Sequence, residues 1–155
     1  MNRFVYKHIT LTTTLMKLFQ TILTIGLGIM LLAFGLNKFF WFLADFDFTG
    51  YPEAEYLFKS LRFSGGTPTG KGYLMHFVGL TEVIIGVLLV IRKWVSFALI
   101  MLVPISLNLV AFHLFVNLPN IGPAILVLLV NAFLMYKNWW AYEPLFQNKS
   151  EKITL

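Results

Sequence analysis

Seven side chains interrupt the apolar stretches of this sequence and could do chemistry there: Asn37, Lys38, His76, Glu82, Asn108, His113 and Asn131. An ammonium, a carboxylate and two imidazoles can carry protons, neutralise one another or hold a polar ligand. Three carboxamides can orient such a ligand, and they can equally hydrogen-bond one helix to the next. Metal chemistry is not expected of this set. A zinc site needs about four converging ligands, and no His-x-x-x-His or Glu-x-x-His spacing occurs. His76 and Glu82 fall about 120° apart around a helix, at 100° per residue. Cysteine is absent, which removes disulfides and thiolate catalysis. The phosphate-loop, Gly-x-Ser-x-Gly and dinucleotide-binding motifs are also missing from the sequence.

The elements that must position these groups are membrane helices. Hydrophobic residues make up 58% of the chain and charged residues 12%, with mean hydropathy +0.77. A soluble domain carries about 25% charged residues, enough to keep its surface wet. The net charge of +5 sits at the ends of apolar runs, which suits membrane topology better than nucleic-acid binding.

Four apolar runs stand out: about Leu18–Phe42, Tyr73–Ile91, Trp94–Phe115 and Ile121–Tyr136. The first is too long for a cleaved signal peptide, and no Ala-x-Ala-like site follows it. The expected fold is therefore all-α: an integral membrane four-helix bundle over residues 15–142, with loosely ordered tails at 1–14 and 143–155. The connectors Arg92–Lys93 and Val116–Asn120 are short enough to force antiparallel neighbours. Gly26 and Gly28 read as helix-packing glycines, and Pro104 as a kink in the third helix.

The segment between the first two runs is different. Asp45, Asp47, Gly50 and Pro52 open a turn-rich stretch. Ala54, Leu57, Phe58 and Leu61 then recur at helical spacing, with Glu53, Glu55, Lys59, Ser60 and Arg62 opposite. Glu55 and Lys59 are spaced to pair. The spacing predicts a short amphipathic helix in the membrane interface, ended by Gly65-Gly66, with Thr67–Gly72 as a flexible link.

Basic residues set the orientation. Arg3, Lys7, Lys17, Arg92, Lys93, Lys137, Lys149 and Lys152 share the side of the two termini. Only Lys59, Arg62 and Lys71 lie on the other, so both termini are expected in the cytoplasm. Trp94, Trp139, Trp140 and Tyr142 then form one interfacial aromatic belt, and Trp41 and Tyr73 the other. At 1.5 Å per residue, Glu82 falls about 14 Å below the outer face, Asn108 about 10 Å and Asn131 about 15 Å. All seven polar residues thus gather in the outer half or at the midplane, leaving the cytoplasmic half almost purely apolar. Small residues flank Glu82 (Gly79 and Gly86), so it should face the bundle. Lys38 is its expected partner.

Several of these residues resemble a known family. The helix end Phe34-Gly35-Leu36-Asn37-Lys38-Phe39 is similar to the G-x-x-K helix end of the DoxX family. Gly79-Leu80-Thr81-Glu82, followed by Gly86 and Leu88-Leu89, resembles that family's E-x-x-x-G-x-x-L-L signature. An aromatic, Pro-containing link with a short helix and a Gly72-Tyr73 entry fits the same pattern, and the likeness covers about Leu15–Tyr142. The resemblance implies a small four-helix protein of the bacterial inner membrane. Family members include the smaller subunit of an archaeal thiosulfate:quinone oxidoreductase and membrane partners of soluble redox enzymes. Gly35, Lys38, Glu82 and Gly86 are the matching positions. Thiosulfate oxidation does not transfer, because nothing in this chain supplies a redox centre.

The expected function is an accessory or anchoring subunit, not an enzyme on its own. A polar cluster of Lys38, Glu82, Asn37, Asn108, His113 and Asn131 would hold a redox partner protein or a lipid-like molecule. One alternative is a quinone-interacting oxidoreductase component, with Phe39, Phe40, Trp41, His113 and Glu82 around the quinone. A small-solute transporter is a second alternative, although no polar path crosses the cytoplasmic half and no inverted repeat is visible.

Overall fold

The computed structural model describes residues 3–44, 47–63 and 72–147, with side chains from residue 12 onward. Asp45, the Gly65-Gly66 stop, the link through Lys71 and the segment beyond Gln147 lie outside the described residues. Six helices follow one another: α1 (Arg3–Phe40), α2 (Pro52–Arg62), α3 (Tyr73–Val90), α4 (Val95–Val116), α5 (Gly122–Lys137) and α6 (Glu143–Phe146). Two 3₁₀ turns, Leu118–Asn120 and Trp139–Ala141, flank α5. The described residues include no strand.

Three of these helices match the expected runs within a residue or two, and α1 does not. The segment read as a tail, residues 1–14, is helical from Arg3. Neither Gly nor Pro occurs between Arg3 and Leu18, so a helix nucleated in the apolar run propagates outward unopposed. The 38 residues of α1 span about 57 Å. The helix stops at Phe40 because Trp41 turns left-handed, with φ 49°. Residues 143–146, read as tail, form the short α6.

A glycine seam joins α1 to α3. A Cβ on Gly28 would stand 3.0 Å from the Gly86 carbonyl oxygen, and one on Gly86 would stand 2.8 Å from that of Gly28. Two turns further along, a Cβ on Gly35 would lie 2.9 Å from the Gly79 carbonyl oxygen. The register descends along α3 as it climbs α1. Only a missing side chain permits backbones this close. Gly26, paired with Gly28 in the sequence reading, instead faces open space. The core adds Leu27 and Leu31 of α1, Ile85 and Leu89 of α3, Leu99 and Leu102 of α4, and Val127 and Leu134 of α5. Helix α4 packs on α3 and α5, while α1 touches α5 lightly. Pro104 sits on an exposed face within unbroken α4.

The outside of this assembly is apolar. Phe77, Leu126, Leu129 and Phe115 are all more than half exposed. Three helical stretches, Thr12–Phe40, Tyr73–Val90 and Val95–Val116, are long and apolar enough to cross a membrane. Only 28%, 33% and 22% of their apolar windows are buried within the chain, so most of that surface needs lipid or a partner to cover it. Helix α5, at 16 residues, is apolar but shorter.

Helix α2 closes the Lys38 end. Gly50 takes φ +84°, and Pro52 opens the helix with its fixed φ. Glu53 and Glu55 stand in its first turn and Lys59 and Arg62 in its last, complementing the helix dipole. The Lys59 ammonium meets Glu55 at 2.6 Å, as their spacing requires. Ala54 is fully buried, and α2 packs on α3 and touches α4. The helix ends at Arg62, ahead of the glycine pair, because Phe63 is extended. Gly72 lies against that end: a Cβ there would be 2.5 Å from the Arg62 carbonyl oxygen.

Candidate functional site

Lys38 stands in the last turn of α1, and Glu82 midway along α3. The Gly35–Gly79 approach brings their backbones together, leaving 2.9 Å between the Lys38 Cβ and a Cβ placed on Gly79. Over so short a gap the lysine stem can lie along the neighbouring helix. Its Nζ donates to Glu82 Oε2 at 2.5 Å, and the side chains are 19% and 10% exposed. Nζ also donates to the Phe34 carbonyl oxygen at 3.5 Å, an exposed and long contact. Among the described residues Glu82 Oε1 has no hydrogen-bond partner, and it is not sealed in the interior. Both charges are therefore compensated, with one acceptor oxygen left for a further group.

His76 stands nearer the start of α3 than Glu82 does. Its Nδ1 donates to the Gly72 carbonyl oxygen at 2.9 Å. A carbonyl can only accept, so Nδ1 carries a proton. The Phe39 ring meets the imidazole edge-on at 5.5 Å between centroids. Asn37 has a different task. Its Oδ1 accepts the Leu43 backbone N–H at 2.7 Å, and its carbonyl accepts that of Trp41 at 2.9 Å. It ties down the chain where α1 ends. The Arg62 guanidinium lies 3.4 Å from the Trp41 ring centroid, a cation–π contact that holds α2 against the end of α1.

The other expected members do not join this pair. Asn108 is exposed on α4. His113 sits in the last turn of α4, where Nδ1 faces the Asn117 carbonyl oxygen at 3.4 Å and the ring meets Phe112 edge-on. Asn131 is 1% exposed, and its Oδ1 has no hydrogen-bond partner. Among the described residues, no hydrogen bond links Asn37, Asn108, His113 or Asn131 to Lys38 or Glu82. The single polar cluster expected from the sequence thus resolves into one ion pair and several local devices. The cause is helix rotation: α4 is apolar nearly all round, so its pattern does not reveal which side faces inward.

Some contributors went unread. Asn117 is 2% exposed and accepts from Asn120 Nδ2 at 3.0 Å, fixing the α4–α5 turn. The signal was the Asn-x-Pro-Asn turn chemistry at 117–120. Tyr142, expected in an outward belt, is 3% exposed, and its hydroxyl donates to the Ser96 carbonyl oxygen at 3.0 Å. Burial pushes this phenol above its ordinary range, partly offset by the Ser96 side chain. Trp94, Trp139 and Trp140 do remain exposed at the same end.

Two hollows stand out. One, of about 320 Å³, is bounded by Asp47, Thr49, Gly50 and Glu55 at the start of α2. The Thr49 hydroxyl and then its N–H hold the Asp47 carboxyl below the usual carboxylate range. The other, of about 190 Å³, lies at the opposite end among Lys17, Gln20, Thr21, Thr24, Arg92 and Asn138. That end is therefore not purely apolar, contrary to the reading of the sequence. The polar groups escaped notice because Gln20, Thr21 and Thr24 are uncharged and lie within an apolar run. Among the described residues no group of three or more His, Asp or Glu side chains converges to hold a metal. Comparison with protein-family models, with curated proteins and with solved structures finds no match to this chain.

Proposed function

We propose that this chain is a DoxX-like membrane protein of the bacterial inner membrane, with four antiparallel spans and both termini cytoplasmic. On this reading α5 is the fourth span, extended by its flanking 3₁₀ turns. The protein acts as an accessory or anchoring subunit, and its Lys38 end receives a partner protein or a lipid-like molecule. The observation that supports the reading is the Lys38–Glu82 pair. Charge inside an apolar assembly is costly and marks a site by default, and Glu82 Oε1 remains open for a ligand donor. The resemblance at Gly35, Lys38, Glu82 and Gly86 points the same way.

A second reading is a quinone-interacting component of an oxidoreductase system. It is favoured by the contact of His76 with Phe39, the residue after Lys38. An aromatic wall, an imidazole and a carboxylate are groups that could seat a quinol head, whose hydroxyls donate to the carboxylate. Its electrons would come from another chain.

Native mass spectrometry after extraction in mild detergent tests both. The wild type should carry a bound small molecule or a stoichiometric protein that Glu82→Gln loses, and its mass separates quinone from lipid or protein. Identical spectra for wild type and variant would make the pair a packing device and end both readings.

A further inference from the structure

The hollow at the Arg92 end is built from groups that donate. Lys17, Gln20 and Thr21 reach it from α1, Arg92 from the α3–α4 turn and Asn138 from the end of α5. No carboxylate lines it, and neither Lys17 nor Arg92 forms an ion pair with a described carboxylate. Val95, the first residue of α4, forms part of the wall. That helix has no side-chain cap at Trp94, so its first N–H groups add positive potential. Two cationic residues, the Gln20 and Asn138 amides, the Thr21 and Thr24 hydroxyls and the start of α4 line about 190 Å³.

Arg92 occupies its place against local preference. Helix α3 ends with the Lys93 N–H bonded to the Leu88 carbonyl and the Arg92 N–H to that of Leu89. This is the Schellman pattern, and the residue at its left-handed position is normally glycine. Here it is Arg92, with φ 55°. A left-handed arginine is less stable than a glycine at that point. This position therefore carries a basic side chain although glycine would suit the backbone better.

We infer that this hollow is a binding site for an anionic phosphate group, presented by a lipid headgroup or as free phosphate. The site is separate from the Lys38–Glu82 pair and does not depend on the function proposed for it. Basic recesses between membrane helices, at the level of the headgroups, suit such anions. The ammonium and guanidinium neutralise the charge, while Gln20 and Thr21 supply neutral donors to the remaining oxygens.

The full chain in mild detergent, delipidated and mixed with equal amounts of phosphatidylglycerol and phosphatidylcholine of the same acyl chains, provides the test by native mass spectrometry. Inorganic phosphate serves as competitor. Wild type should carry the anionic lipid in preference, and Arg92→Gly and Lys17→Gln should each weaken that binding about fivefold. Arg92→Gly is informative because glycine suits the turn: its melting temperature should hold or rise while binding falls. Lys93→Gln, one residue away and outside the hollow, should bind as wild type. Retention of phosphatidylglycerol unaffected by inorganic phosphate assigns the site to a lipid headgroup. Displacement by inorganic phosphate, with a rise in melting temperature, assigns it to the free anion. Equal binding of the two lipids with no response to phosphate would overturn the inference, as would undiminished binding by Arg92→Gly and Lys17→Gln.

Discussion

A carboxylate held by a single ammonium in an apolar seam is costly to half-dismantle. Lys38→Met would leave Glu82 without its counter-charge, and we expect a loss of about 3 kcal/mol in unfolding free energy in mixed micelles. Adding Glu82→Leu removes the stranded charge, so the double variant should recover most of that loss. Equal losses in the single and double variants would show that the two residues do not act as a unit. This pair was legible from sequence because charges are so scarce inside the apolar runs. Lys38 and Glu82 had few other groups to meet, and Gly79 and Gly86 marked which side of α3 faces inward. Asn108 and Asn131 had no such marker. On helices apolar all round, composition alone does not separate an exposed carboxamide from a buried one, and here they took opposite fates.

Among the described residues, helices α1 and α3 share the most extensive helix–helix contact, and its closeness comes from atoms that are missing. Gly86→Val would drive a branched side chain toward the Gly28 carbonyl and the Leu32 side chain, both 2.8 Å from a Cβ at that site. Overpacking of this kind costs about 1–3 kcal/mol. Gly26→Ala meets nothing and should stabilise α1 by about 0.5–1 kcal/mol. Thermal melts of both variants check the pair of signs; a destabilising Gly26→Ala would mean that another surface covers that face. Element lengths were readable because hydrophobic runs and breakers bound them, and α3, α4 and α5 fall within a residue or so of expectation. The N-terminal reach of α1 was not, since polar residues without Gly or Pro neither demand a helix nor end one.

Across the whole molecule, the two ends hold themselves together by different chemistry. The Lys38 end relies on an ion pair, a cation–π contact and the Asn37 tie. The Arg92 end relies on the buried Tyr142 phenol, which binds the chain after α5 to the start of α4. Its folded-state pKa lies above the unfolded value of about 10. Its contribution is therefore fully present below that pH and is lost as pH rises through the folded-state value. Wild type should lose melting temperature above about pH 10 more steeply than Tyr142→Phe; parallel curves would show that the phenol does not govern alkaline stability. The Lys38–Glu82 pair also has a history within synthesis. Its members are 44 residues apart, so Lys38 leaves the ribosome about 2–9 s before Glu82 at 5–20 residues per second. Throughout that interval the nascent first helix holds an ammonium with no counter-charge. We expect the lysine to stretch toward water during that interval. Pairing with Glu82 should then draw it inward, and a stalled-chain force profile should register that pull as a late, Glu82-dependent tug on the growing chain.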